Sequence, residues 1–93
     1  MGNTFLDNLP QLISQIQAAA EQVESAKVSA YAHKLKGSAD NVGGLALRKS
    51  AFALEMAGKA DNHAEIQRLV KEVEAEYALL AQALKAKLQE IQA

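Results

Sequence analysis

From Asn62 to Ile91 the chain reads NHAEIQRLVKEVEAEYALLAQALKAKLQEI. Ile66, Val70, Val73, Tyr77, Leu80, Leu84, Leu88 and Ile91 recur at steps of three and four, the spacing that lines side chains along one face of an α-helix. Asn62 followed three residues later by Glu65 has the form of a capping box and marks the start. The spacing therefore predicts a helix of about 30 residues, roughly 45 Å long at 1.5 Å per residue. Its apolar stripe needs a cover.

Upstream the same periodicity returns three times. Phe5, Leu9, Leu12, Ile16, Ala20 and Val23, with Leu6 and Ile13 beside them, predict a first helix over about Thr4 to Gln22. Pro10 fits a first turn after Asp7 or Asn8, or else kinks a helix that begins sooner. Val28, Ala32, Leu35, Ala39 and Val42 predict a second helix, with Ser25 as N-cap and Gly43-Gly44 as terminator. Leu47, Ala51 and Leu54 predict a third, from about Leu45 to Ala57, stopped by Gly58 and followed by a turn over Lys59 to Asp61. Short links between amphipathic helices make antiparallel neighbours, so the expected fold is all-α: an antiparallel up-down four-helix bundle with a long C-terminal helix.

At 93 residues this is a single domain, 1–93. Hydrophobic residues make up 49% and charged residues 23%, a balance that supports a core and excludes wholesale disorder. Ten Lys and Arg against eleven Asp and Glu lack the basic excess that phosphate-backbone binding needs, so nucleic acid is not an expected partner. The absence of Cys excludes disulfides and thiolate zinc sites and suits a cytoplasmic location. No apolar run is long enough for a membrane span and no signal-peptide pattern opens the chain. A first helix of about 19 residues reaches only about 28 Å, too short to cover the longest helix. The stripe Leu80, Leu84, Leu88 and Ile91 is therefore expected to protrude and to drive weak self-association.

Glycine-rich phosphate loops, helical His-Glu-x-x-His and acidic calcium loops are all missing, and the Glu and Glu-x-x-His set of a di-iron bundle is not present. No cofactor is expected on the chain itself. What remains is the side of the second helix away from its core stripe. At about 100° per residue from Leu35, the positions Ala26, Ser29, Ala30, His33, Lys36, Gly37 and Asp40 fall there. His33 is on the solvent side, with small residues before it and Lys36 and Gly37 one turn after. A glycine inside a helix costs about 0.5–1 kcal/mol relative to Ala. In so alanine-rich a chain, Gly37 points to room kept for something else. An imidazole with one free nitrogen is a nucleophile at neutral pH, and an ammonium one turn away offsets phosphoryl charge. The set can receive and pass on a phosphoryl group but cannot start from a nucleotide, for want of Mg²⁺ ligands and a cradle.

The run Ala32-His33-Lys34-Leu35-Lys36-Gly37-Ser38-Ala39, with Val42-Gly43, Leu47 and Leu54-Glu55, resembles the histidine-containing phosphotransfer (HPt) domain of bacterial phosphorelays. The resemblance spans about Phe5 to Leu88. It implies that His33 accepts phosphate on Nε2, that Lys36 and Gly37 are the basic and close-approach residues, and that Glu55 bonds the other ring nitrogen. It also implies receiver domains of response regulators as partners, with Mg²⁺ on the receiver. Three departures stand out: Gly44 where Ala is common, Asp40 close to the incoming phosphoryl group, and no short helix ahead of Phe5. The last suggests the C-terminal domain of a hybrid sensor kinase.

Leu45, Phe52 and Met56 lie off the core stripe on the side of Glu55 and Arg48. They are either a satellite of the core or, with Ala26 and Ala30, a docking patch. His63 has no Lys or Gly at matching positions and is expected to be a solvated first-turn residue. Two other readings compete. A structural helical adaptor using its long helix for coiled-coil contacts would leave His33 dispensable, and a small His-dependent hydrolase would turn over without a partner.

Overall fold

The computed structural model describes the backbone of residues 4–41 and 44–92, and the side chains of residues 9–41, 44–83 and 85. Four helices follow one another: α1 (Thr4–Glu21), α2 (Ser25–Asn41), α3 (Leu45–Lys59) and α4 (His63–Gln92). Each packs against the next and α1 also meets α4, which closes the ring of an up-down bundle. The most extensive interface joins α2 to α3. At 47 × 22 × 19 Å the molecule is as long as α4, about 45 Å from its 30 residues.

The predicted stripes form the core. Leu9, Ile13 and Ile16 of α1, Val28, Ala32, Leu35 and Ala39 of α2, Leu47, Ala51 and Leu54 of α3, and Ile66, Val70 and Val73 of α4 are all buried. Removal of each large side chain from water contributes about 1.5–3 kcal/mol. Leu69 belongs to this core too, beside the predicted stripe of α4, because a wide apolar face contacts two neighbours at once. Tyr77 and Leu80 are only partly covered and Leu79 is exposed. The expectations for Phe5, Leu6, Leu84, Leu88 and Ile91 concern side chains outside those described, and Val42 and Gly43 lie outside the described residues.

Two helix ends differ from the sequence reading in an instructive way. α1 stops at Glu21, and Val23 is exposed in the left-handed region at φ 58°, not part of the stripe. Its N–H donates to the Ala20 carbonyl and that of Glu24 to Ala19, the paired closure of a Schellman turn. A β-branched residue there costs about 1–2 kcal/mol. The end of α3 repeats the geometry: Asp61, at φ 56°, donates to Gly58 and Asn62 to Ala57.

Gly58 therefore does not stop α3, which runs on to Lys59. It is buried at the crossing with α2, where a Cβ would stand 2.9 Å from the Ser25 carbonyl oxygen and from the Ser29 backbone nitrogen and Cβ. Close backbone approach is its reason. Ser25 is not the N-cap of α2, since the helix opens on the Glu24 carbonyl and the Ser25 hydroxyl bonds Asp61 Oδ1 instead. Only half of the capping box forms at α4. Asn62 Oδ1 accepts from the Glu65 N–H at 3.3 Å, while the Glu65 carboxylate turns to Arg68 at 2.7 Å. Gly44 is buried against Leu80 of α4, with a Cβ position 2.9 Å from its Cδ2, so it fits the α2–α3 link to the bundle.

Candidate functional site

The site is built on the α2–α3 interface. Core residues Leu35 of α2 and Leu54 of α3 face inward, and the helical repeat then turns His33 and Lys36 outward beside Glu55. The His33 side chain is 66% exposed, whereas that of Glu55 is only 8% exposed. His33 Nδ1 lies 3.2 Å from Glu55 Oε2. An ionised carboxylate can only accept, so the bond is donated by Nδ1–H, which in the neutral ring leaves the lone pair on Nε2, the nitrogen turned away from Glu55.

Two lysines complete the surround of this carboxylate. Lys36 Nζ is 3.4 Å from Oε1 and Lys59 Nζ is 3.5 Å from Oε2. Desolvation is the strongest single influence on the Glu55 carboxyl and favours its neutral form. The hydrogen bonding and charge of Lys36, with the charges of His33 and Lys59, together outweigh it and hold the pKa below the ordinary glutamate value. Oε1 is buried and its approach to Lys36 is closer to an ion pair than to an aligned hydrogen bond. Lys36 is thus paired on one side with Glu55. On the other its Nζ stands 5.0 Å from the centroid of the Phe52 ring.

Around this centre the remaining positions fall into place. Ala26 and Ala30 are exposed on α2 ahead of His33. Leu45, Phe52 and Met56 are 65%, 49% and 41% exposed, which removes the core-satellite alternative for them. Asp40 pairs with Arg48 across the helices at 3.5 Å, so its charge is partly met within the chain. Gly37 is open, with nothing within 4 Å of a Cβ position, and it opens onto a polar groove of about 490 Å³ between α1 and α2, lined with Gln11, Gln15, Lys34, Ser38 and Asn41. A second groove, about 340 Å³, lies between α2 and α3 at Lys36, Arg48, Lys49 and Phe52. His63 pairs with Asp61 at the far turn and takes no part.

Lys59 is the residue that sequence reasoning missed. It follows Glu55 by four positions on one helix face, a spacing that would have found it. Among the described residues no group of three or more His, Cys, Asp or Glu side chains could hold a metal ion, and no helix is long and apolar enough to cross a membrane.

The site thus brings together an exposed imidazole, a buried carboxylate on its Nδ1 side and two lysines beside that carboxylate. The family model described as the Hpt domain matches residues 1–93, the whole chain. The chain belongs to the Hpt domain family, whose members carry out histidine phosphotransfer in phosphorelays and interact with receiver domains. No curated protein and no solved structure matched it.

Proposed function

We propose that this protein is a phosphorelay intermediate that takes a phosphoryl group from a receiver-domain aspartyl phosphate onto His33 Nε2 and returns it to another receiver. The observation that carries the reading is the Nδ1–Glu55 pair at 3.2 Å beneath an exposed ring. In the forward step the Nε2 lone pair forms the N–P bond while the P–O bond to the aspartate breaks, and the carboxylate leaves with its electron pair. The ring then carries positive charge with its proton still on Nδ1, where the Glu55 carboxylate stabilises it. Transfer onward is the reverse of this step with a second aspartate.

Lys36, beside His33 and 26% exposed, is placed to meet the incoming phosphoryl oxygens while Glu55 keeps its other partners, His33 and Lys59. Gly37, Ala26 and Ala30 keep the approach low, and Leu45, Phe52 and Met56 form the apolar part of the docking face. Mg²⁺ belongs to the receiver in this scheme, and the carrier needs no nucleotide. Such a carrier works in the cytoplasm with its response regulators, free or as the terminal domain of a larger sensor kinase.

The test is incubation with a phosphorylated receiver and Mg²⁺, followed by analysis for acid-labile, alkali-stable phosphate. Wild-type chain is expected to label on His33 and His33→Gln not at all, with its unfolding midpoint unchanged because the side chain lies outside the core. Label retained in His33→Gln would move the acceptor elsewhere.

A further inference from the structure

The charges of this chain are sorted by element. α2 and α3 together carry six Lys and Arg against two acidic residues, whereas the rest of the chain carries four against nine. The net charge of -1 thus hides a basic face of about +4, on the helices that hold His33, and an acidic remainder.

Within the basic face, the groove between α2 and α3 is bordered by Lys36, Arg48, Lys49 and Phe52. Two of its cations are already engaged, Lys36 with Glu55 at 3.4 Å and Arg48 with Asp40 at 3.5 Å. Lys49 is exposed and has no carboxylate within ion-pair distance among the described residues. The Phe52 ring, about half exposed, forms an apolar wall and is continuous with the docking residues of α3. The groove therefore offers one unspent cation next to one aromatic surface.

Resting on the phosphotransfer reading above, we infer that this groove receives an acidic side chain from the surface of the receiver domain, its carboxylate on Lys49 and its aliphatic stem against Phe52. A single carboxylate matches a single free ammonium, and exclusion of water by the partner strengthens both that pair and the Lys36–Phe52 contact. A nucleotide would bring several negative charges to a groove with one cation to spare, so a protein carboxylate is the better match. The basic face also steers an acidic receiver surface toward His33 before contact, a contribution that belongs to the association rate and falls with salt.

The experiment measures the second-order rate of phosphoryl transfer from a phosphorylated receiver to wild type, Lys49→Ala and Lys49→Glu at low salt and at 1 M salt. Phosphoramidate serves as a donor that reports the reactivity of His33 without docking. At low salt Lys49→Glu is expected to slow receiver transfer about tenfold and Lys49→Ala about two- to threefold. Near 1 M salt, where the screening length is about 3 Å, the variants are expected to converge on wild type. Phosphoramidate is expected to label all three chains alike, since Lys49 lies outside the His33–Glu55 pair. Equal low-salt rates, or a loss that persists at high salt, would overturn the inference while leaving phosphotransfer intact. Inhibition of receiver transfer by ADP that Lys49→Glu relieves would also overturn it, by making the groove a nucleotide site. A wild-type chain that takes label from neither donor would bring down the phosphotransfer reading and this inference with it.

Discussion

Gly37 in α2 and Gly58 in α3 are the same residue in the same kind of element, and their surroundings are opposite. A Cβ at Gly37 meets nothing within 4 Å, whereas one at Gly58 would stand 2.9 Å from the backbone of α2. Each glycine gives up about 0.5–1 kcal/mol of helix stability relative to Ala. At Gly58 the loss is offset within the molecule, because the α2 and α3 backbones come together there. At Gly37 nothing within 4 Å offsets it, and the close approach of a receiver proposed above would supply the reason. A helical glycine is explained by what lies opposite it, and its own helix does not say which case applies.

The contrast can be broken at its buried end first. Gly58→Ala is expected to destabilise by about 1–3 kcal/mol, because its contacts are backbone and Cβ atoms that cannot swing aside. In a domain of this size each kcal/mol lowers the melting temperature by about 4–8 °C. A thermal melt unchanged by the substitution would show that the crossing has slack. Gly37→Leu should do the reverse: a gain of about 0.5–1 kcal/mol from helix propensity, with phosphoryl transfer from a receiver lost to bulk. Normal transfer by this more stable variant would remove the close-approach role.

The smallest effect concerns Glu55, which sits three residues before Gly58 on α3 and faces His33 and Lys36 on α2. Its pKa is lowered in the folded chain, so its contribution to stability is fully present above the ordinary glutamate value and is lost as pH falls through the lower folded value. Urea midpoints measured from neutral pH into the acid range should therefore fall less steeply for Glu55→Gln than for wild type. Parallel curves would mean that the ion pairs of Glu55 with Lys36 and Lys59 contribute nothing to folding.

Much of this was legible in the sequence because helical periodicity reports which way a residue faces. Leu9, Ile16, Val28, Leu35, Leu47, Leu54 and Val73 were placed correctly by spacing alone. The same arithmetic set His33 outside the core, whereas the expectation that Glu55 meets it came from the family resemblance alone. Periodicity does not report where a helix stops, so Val23 was carried into a stripe it leaves by a left-handed turn. Nor does it report what stands across an interface: Gly58 looked like a terminator because Ser25 and Ser29 are distant in sequence, and Gly44 gave no sign of Leu80. Leu45, Phe52 and Met56 stayed ambiguous for the same reason, since the face was known and the neighbour was not. The capping box was half right because Arg68, one turn beyond Glu65, competes for its carboxylate.

The matched turns at Val23 and Asp61 bear on how the molecule assembles. Each closes a hairpin of adjacent helices through contacts a few residues apart, so little loop entropy opposes either one. The two hairpins are joined along the α2–α3 seam. His33 and Lys36 arrive with the first hairpin, and Glu55, Lys59 and Phe52 with the second. Neither hairpin alone can fix the imidazole tautomer or place the ammonium groups. The surroundings of His33 therefore depend on the docked α2–α3 seam, and a chain with its hairpins undocked would present the histidine without Glu55, Lys59 and Phe52 beside it.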